Sequence, residues 1–321
     1  MKKMNVLITG GSGVLGRKLI ESVLEKYKII AIGKEYGRIS ETIRHHKNFK
    51  FYERDLTEIR SVQDFKITEP IDLIVHLAGA VSGSKLSEKD FFTINAESTK
   101  HLAALAKEKH SKAMLLASSV SVYGAQEEPI YTTSPTLGST VYARSKIAAE
   151  EYLRNAGIPY SIFRIASVYG LSSKSFIQKL FSLYKKGFYP KIKNQSPKSI
   201  IHIEDLNLAI LAWIERVLTG ASIRPVYVIS HPESVTIQQV IEEFKTHRKP
   251  RWGILGIPVF PIFIPIFDLF YKILRKWQGL PYHESPLGPL LHSIEAYSEE
   301  SWRDLHLIPK WDLRKGTTQY K

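Results

Sequence analysis

No cysteine occurs in the chain, which excludes disulfide staples and thiolate metal sites and fits a reducing cytoplasm. Acid is scarce relative to base. Asp and Glu total 31 against 45 Lys and Arg, a net charge of +14, so an anionic partner is expected. The lysines are spread along the whole chain without an arginine-rich arm, so nucleic acid is not that partner. No secretory leader is expected, because Met1-Lys-Lys-Met runs straight into an apolar strand. No internal repeat or low-complexity tract is present, and no His/Asp/Glu pattern calls for a metal.

With 321 residues and 44% apolar content, the chain can bury one large α/β unit or two joined domains. Its first half alternates strand and helix patterns. Strands are predicted at 4–9, 28–32, 49–52, 73–77, 113–118 and 160–165, and helices at 13–26, 59–65, 90–109 and 141–156. This alternation predicts a Rossmann-like, doubly wound parallel sheet over 1–165. After residue 165 the pattern is irregular. Helices near 176–186, 205–218 and 237–246 and one strand near 226–229 predict a smaller, mixed substrate-binding cap over 166–321, its boundary interleaved with the first unit.

The turn Thr9-Gly-Gly-Ser-Gly-Val-Leu-Gly16 lies between a predicted strand and helix, with glycines at both 10/13/16 and 11/13/16 spacing. Such glycines let the backbone approach a pyrophosphate while the helix N-terminus attracts its charge. The second candidate constellation is Tyr142-Ala-Arg-Ser-Lys146. A phenol and an ammonium four residues apart share a helix face. The Lys charge favours the tyrosinate, which makes Tyr142 a candidate general acid/base. Ligands of such sheets sit at the carboxyl ends of the strands, where Gly10, Asp55, Ala78, Ser119 and Ser167 all fall.

Together these segments resemble the extended short-chain dehydrogenase/reductase family, the NAD(P)-dependent epimerase/dehydratase group acting mainly on nucleotide sugars. The likeness also covers Asp55-Leu56, His76-Leu-Ala-Gly-Ala80, Asn95, Ser118-Ser119-Val-Ser-Val-Tyr-Gly124, Phe163-Arg-Ile-Ala-Ser-Val-Tyr-Gly170, Ile201-His-Ile-Glu-Asp-Leu206 and Ser301-Trp-Arg-Asp-Leu-His-Leu-Ile-Pro309. It implies Ser119, Tyr142 and Lys146 as catalytic residues. It implies a cofactor site from Gly10, Gly13, Val14, Leu15, Gly16, Asp55, Leu56, Leu77, Ala78, Gly79, Asn95 and Tyr142, with Lys146 on the nicotinamide ribose. Ser119 and Tyr142 would meet the substrate, and Lys198 would stand where related epimerases place an arginine on the nucleotide diphosphate. His76, Arg164 and His202 are expected to be structural.

Two departures from the family refine the expectation. Gly33 replaces the usual strand-end Asp, with Lys34 and Arg38 nearby, which favours NADP(H) over NAD(H). Val120 and Ser121 stand where 4,6-dehydratases carry an Asp-Glu pair, so dehydration is not expected. The first expectation is an NADPH-dependent reductase of a 4-keto nucleotide sugar. The alternatives are a nucleotide-sugar 4-epimerase with tightly held NAD, and a non-catalytic NAD(P)-binding scaffold, which the intact Ser/Tyr/Lys set argues against.

One uncharged run, 252–267, holds Pro258, Pro261 and Pro265 between basic flanks. It is too short and too interrupted for a spanning helix. Three readings compete: a lid packed on the core, a peripheral membrane contact, and an oligomer interface such as a homodimer. Packing within the cap is the expectation.

Overall fold

The computed structural model describes residues 3–82, 84–126, 128–170, 176–192, 196–247, 255–259, 264–278 and 294–320. Seven strands form one sheet: β1 (Asn5–Thr9), β2 (Lys28–Gly33), β3 (Phe49–Glu53), β4 (Leu73–His76), β5 (Ala113–Ser119), β6 (Tyr160–Ile165) and β10 (Val226–Ile229). Their order is β10-β6-β5-β4-β1-β2-β3, and every pairing is parallel. Parallel strands are covered on both faces and so are apolar throughout; β1 is buried along its whole length. Val6, Ile8, Val75 and Leu115 enter one core cluster with Leu19, Ile20 and Val23 of helix α1 (Val14–Val23) and Ala209 and Ile210 of α7 (Ile203–Thr219). Leu7, Ile74, Met114 and Leu116 enter the other, with Leu102 of α4 (Ser98–Glu108) and Leu153 of α5 (Val141–Arg154). The alternation of strand side chains thus separates two cores, and the sheet is doubly wound.

The chain runs outward from β1 to β3, then crosses back to β4. The order reverses between β1 and β4, which opens a crevice at their carboxyl ends. The edge strand β10 comes from beyond residue 165, so the sheet does not close within one contiguous 1–165 stretch.

Outside the large sheet lie α6 (Phe176–Lys185), α8 (Ile237–His247), the pair β7 (Ser167–Tyr169) with β9 (Ile200–His202), and the pair β8 (Phe188–Ile192) with β11 (Leu255–Val259). Ile177, Leu180, Val240 and Phe244 form their own core cluster. None of β7, β8, β9 or β11 is evident as a strand in the sequence. The helix predicted at 59–65 is instead two 3₁₀ turns, Leu56–Glu58 and Val62–Phe65. Ser61 and Asp64 form a capping box that restarts the chain between them.

The expected packing of 252–267 within the cap is not what its described residues show. Leu255 and Ile257 of β11 are exposed, as are Ile266 and Phe267 at the start of α9 (Ile264–Trp277). Proline explains the break: helix α9 begins only one residue before Pro265, a position that needs no amide donor. Residues 252–254 and 260–263 of this run lie outside the described residues. No helix among the described residues is long and apolar enough to cross a membrane.

Candidate active site

The glycine turn is fixed by close backbone approach. Gly10 has φ +72°, and a Cβ there would stand 2.8 Å from the Ala78 nitrogen beyond β4, so the turn lies against the crevice wall. Gly13 donates its N–H to Gly10 O at 2.8 Å and caps α1. A Cβ on Gly16 would meet Gly10 O at 2.2 Å, so only glycine lets the helix come so near. Val14 and Leu15 open α1, which leaves its first amides available to an anion.

The β4 end is held by a buried relay. Ala78 N donates to Thr9 Oγ1 at 3.2 Å, and Thr9 Oγ1 lies 2.6 Å from His76 Nδ1. His76 is fully buried, and burial, with the nearby Lys146 ammonium second, depresses its pKa to about 3. It is neutral and positions the strand end. Leu77 follows it, its N–H donating to Thr9 O.

Gly79, Asn95 and Lys146 converge just beyond this point. A Cβ on Gly79 would stand 2.9 Å from Asn95 Oδ1 and 3.0 Å from Lys146 Nζ. Asn95 is buried within a π-helical turn, Thr93–Glu97, a local widening frequent at functional sites. It accepts from Ala80 N at 2.8 Å and donates to Ser145 Oγ at 2.9 Å. Ser145 thus links Asn95 to helix α5, a partner not legible in the sequence.

Lys146 is 5% exposed, and its Nζ donates to Ala117 O of β5 at 2.8 Å. Two residues on, Ser119 ends β5, where its hydroxyl donates to Ser121 Oγ at 3.1 Å and accepts from Ser121 N at 3.2 Å. Tyr142 lies one turn before Lys146 on α5, half-buried, with its ring edge-on to Phe91 at 6.4 Å.

Burial lowers Lys146 to about 8, against a rise caused by Glu150. Below that pH native and unfolded chains both carry the proton, and the full burial penalty applies. As pH rises from about 8 to 10.5 the native chain has released a proton that the unfolded chain still holds, so stability rises. Lys146→Met is therefore expected to stabilise the cofactor-free protein at pH 7 by on the order of 1–3 kcal/mol, an advantage that shrinks toward pH 10.5. Urea unfolding of both proteins at pH 7 and pH 10 measures this, and equal stabilities at pH 7 would refute it.

At the opposite end of the crevice, Leu56 is buried and Asp55 accepts from Thr57 N at 2.9 Å. Lys34 Nζ lies 2.6 Å from Asp55 Oδ2, and Arg38 Nε lies 2.7 Å from Glu35. Both loop cations are engaged by acids, a pairing the sequence does not reveal. Burial pushes Asp55 up, yet Lys34 and Thr57 hold its carboxyl below the usual range. Arg17, missed in the sequence, donates to Arg38 O at 3.1 Å. With Lys18, Arg38 and Arg44 it lines a cleft of about 600 Å³ beside Val14. Gly33 is explained by space: a Cβ there would stand 2.6 Å from Ser12 Oγ of the glycine turn.

Lys198 is not among the residues that these contacts bring together. It sits buried between Val235 and Ile294, and burial lowers it to about 8. Arg164 and Glu150 form a buried ion pair at 2.7 Å. His202 caps α7 through Glu204 N and stacks on Trp311. Among the described residues no cluster of His, Asp and Glu is suited to a metal.

Residues 6–229 match the NAD dependent epimerase/dehydratase family. Human dTDP-D-glucose 4,6-dehydratase is 31% identical over 179 residues, 51% of this chain and 51% of that protein. The chain thus spans about half the length of the curated relatives it matches. Among solved structures, Bordetella bronchiseptica WbmG in complex with NAD and UDP has a TM-score of 0.76 at 20% identity, covering 99% of this chain and 93% of WbmG. Bacillus cereus UDP-glucuronic acid 4-epimerase in complex with NAD has a TM-score of 0.76 at 17% identity, covering 99% and 95%. At such identities the structural likeness establishes the fold, while the sequence match spans the glycine turn, the Ser/Tyr/Lys set and the edge strand of the sheet: the chain belongs to the NAD dependent epimerase/dehydratase family.

Proposed function

We propose that this chain is an NADPH-dependent reductase of a 4-keto nucleotide sugar. The observation that carries the hydride-transfer part is the meeting of Gly79, Asn95 and Lys146 where β4, the π turn and α5 converge. A nicotinamide supplies the hydride when bound. Lys146 would hold its ribose hydroxyls and keep positive charge near Tyr142. Tyr142 gives its phenolic proton to the alkoxide oxygen, and Ser119 orients that oxygen. Val120 and Ser121 offer no carboxylate for an elimination. Lys198, buried apart from these groups between Val235 and Ile294, would reach a nucleotide diphosphate only as a point charge.

The preference for NADP(H) is supported by the cleft beside Val14, where Arg17, Lys18, Arg38 and Arg44 outnumber Glu21, Glu41 and Glu204 and Arg17 donates to the Arg38 carbonyl. A 2′-phosphate would draw Arg38 from the exposed Glu35, exchanging a surface ion pair of small worth for a charge-assisted one. A second reading, a nucleotide-sugar 4-epimerase with retained NAD, is favoured by the NAD-bound fold neighbours and by relatives such as the UDP-glucuronate 4-epimerase of Thermodesulfobacterium geofontis.

Titration of the purified protein with NADPH and NADH separates the two. Tighter binding of NADPH, weakened about tenfold by Arg38→Gln with NADH unaffected, supports the reductase; the loss corresponds to one charge-assisted contact. Protein that retains NAD on purification, or binds NADH more tightly, supports the epimerase and sinks the first reading.

A further inference from the structure

We propose that α9 is a membrane-surface helix that lies on an anionic lipid bilayer. Ile266, Leu269, Phe270, Ile273 and Trp277 recur at spacings of three and four and so occupy one face. In a helix packed on a core that face turns inward. Here it turns to solvent: these five side chains are 59–85% exposed, Trp277 the most. On the opposite side Arg275 is buried, and Tyr271 and Leu274 beside it are half-buried. The helix therefore presents its apolar stripe outward. Such an exposed stripe marks an interaction site.

Charge identifies the occupant. Lys272 and Lys276 are exposed along one flank of the stripe, and Asp268 is the only acid in the helix sequence. A second copy of this chain, itself at +14, would bring like charges together across the contact. A bilayer with anionic headgroups receives both the stripe and the cations, and places a terminal Trp at the level where such rings settle. At 14 residues the helix is too short to span, so it lies in the interface. Leu255 and Ile257, exposed on the strand that precedes it, add apolar surface.

Flotation with vesicles of phosphatidylcholine alone, or mixed with phosphatidylglycerol, tests the proposal. The protein is expected to float with the anionic vesicles and to be released when salt rises from about 0.05 M to about 0.5 M. Leu269→Ser/Phe270→Ser/Ile273→Ser should abolish flotation while cofactor binding persists. Lys272→Ala/Lys276→Ala, at exposed positions, should weaken vesicle partition on the order of 30-fold. Should the serine variant fail to bind cofactor, the alanine variant decides alone. Wild-type protein left unfloated by anionic vesicles at low salt would overturn the proposal. So would flotation unchanged in the alanine variant, or a wild-type dimer that the serine variant makes monomeric without any lipid binding.

Discussion

Tyr142→Phe is expected to lower turnover by about 10²–10⁴-fold, the range for a lost general acid. The substitution keeps the ring that packs edge-on to Phe91 in the small cluster with Ile94 and Val141. The fold and the Lys146–Ala117 contact should therefore survive. Cofactor affinity should be nearly unchanged, because the glycine turn and the Gly79–Asn95 wall do not depend on the phenol. Steady-state rates and cofactor titration on the same preparation make the distinction. Wild-type turnover in the variant would remove Tyr142 from the mechanism, whichever sugar is reduced.

The second large effect concerns stability. Glu150 and Arg164 are almost wholly buried. Arg164 donates from both Nε and Nη2 to the carboxylate, Ser118 Oγ donates to it at 2.6 Å, and the guanidinium lies over the Tyr123 ring. Removing one member strands the other charge in a dry site. Arg164→Met is expected to cost about 3–5 kcal/mol, with Glu150→Met/Arg164→Met recovering a large part of that. Urea denaturation of the three proteins measures it. A single variant as stable as wild type would show that the exposed Arg154, 2.9 Å from the same carboxylate, suffices for it. Since Ser118 precedes Ser119, the pair also steadies the strand end on which the substrate oxygen would be held.

The sheet, the glycine turn and most helices were legible because each rests on a local pattern: apolar strands buried on both faces, a 3.6-residue period, a turn that only glycine can make. What was hidden depends on neighbours distant in sequence. The pairing of Lys34 with Asp55 joins positions 21 residues apart, and the link from Asn95 to Ser145 joins positions 50 apart. The steric reason for Gly33 lies in Ser12, across the β1–α1 turn. Three-residue strands such as β7 and β9 carry no period to detect. For 252–267 the sequence shows that the segment is apolar, but apolarity does not say which side a helix turns to water. There the described residues are largely exposed rather than packed as a lid, and Ile266, near the end of the run, opens the outer face of α9.

The late arrival of β10 has a consequence for synthesis. When β6 has emerged from the ribosome, six strands can already pair, yet β6 remains an open, apolar edge until residues 226–229 follow. Between them the chain must produce β7, α6, β8, β9 and α7. Throughout that interval the nascent sheet offers unpaired amides and carbonyls beside Ile162 and Phe163, a template for wrong partners. Productive folding then competes with aggregation during translation. A pulse of chaperone capture should begin once β6 is exposed and end once β10 has docked.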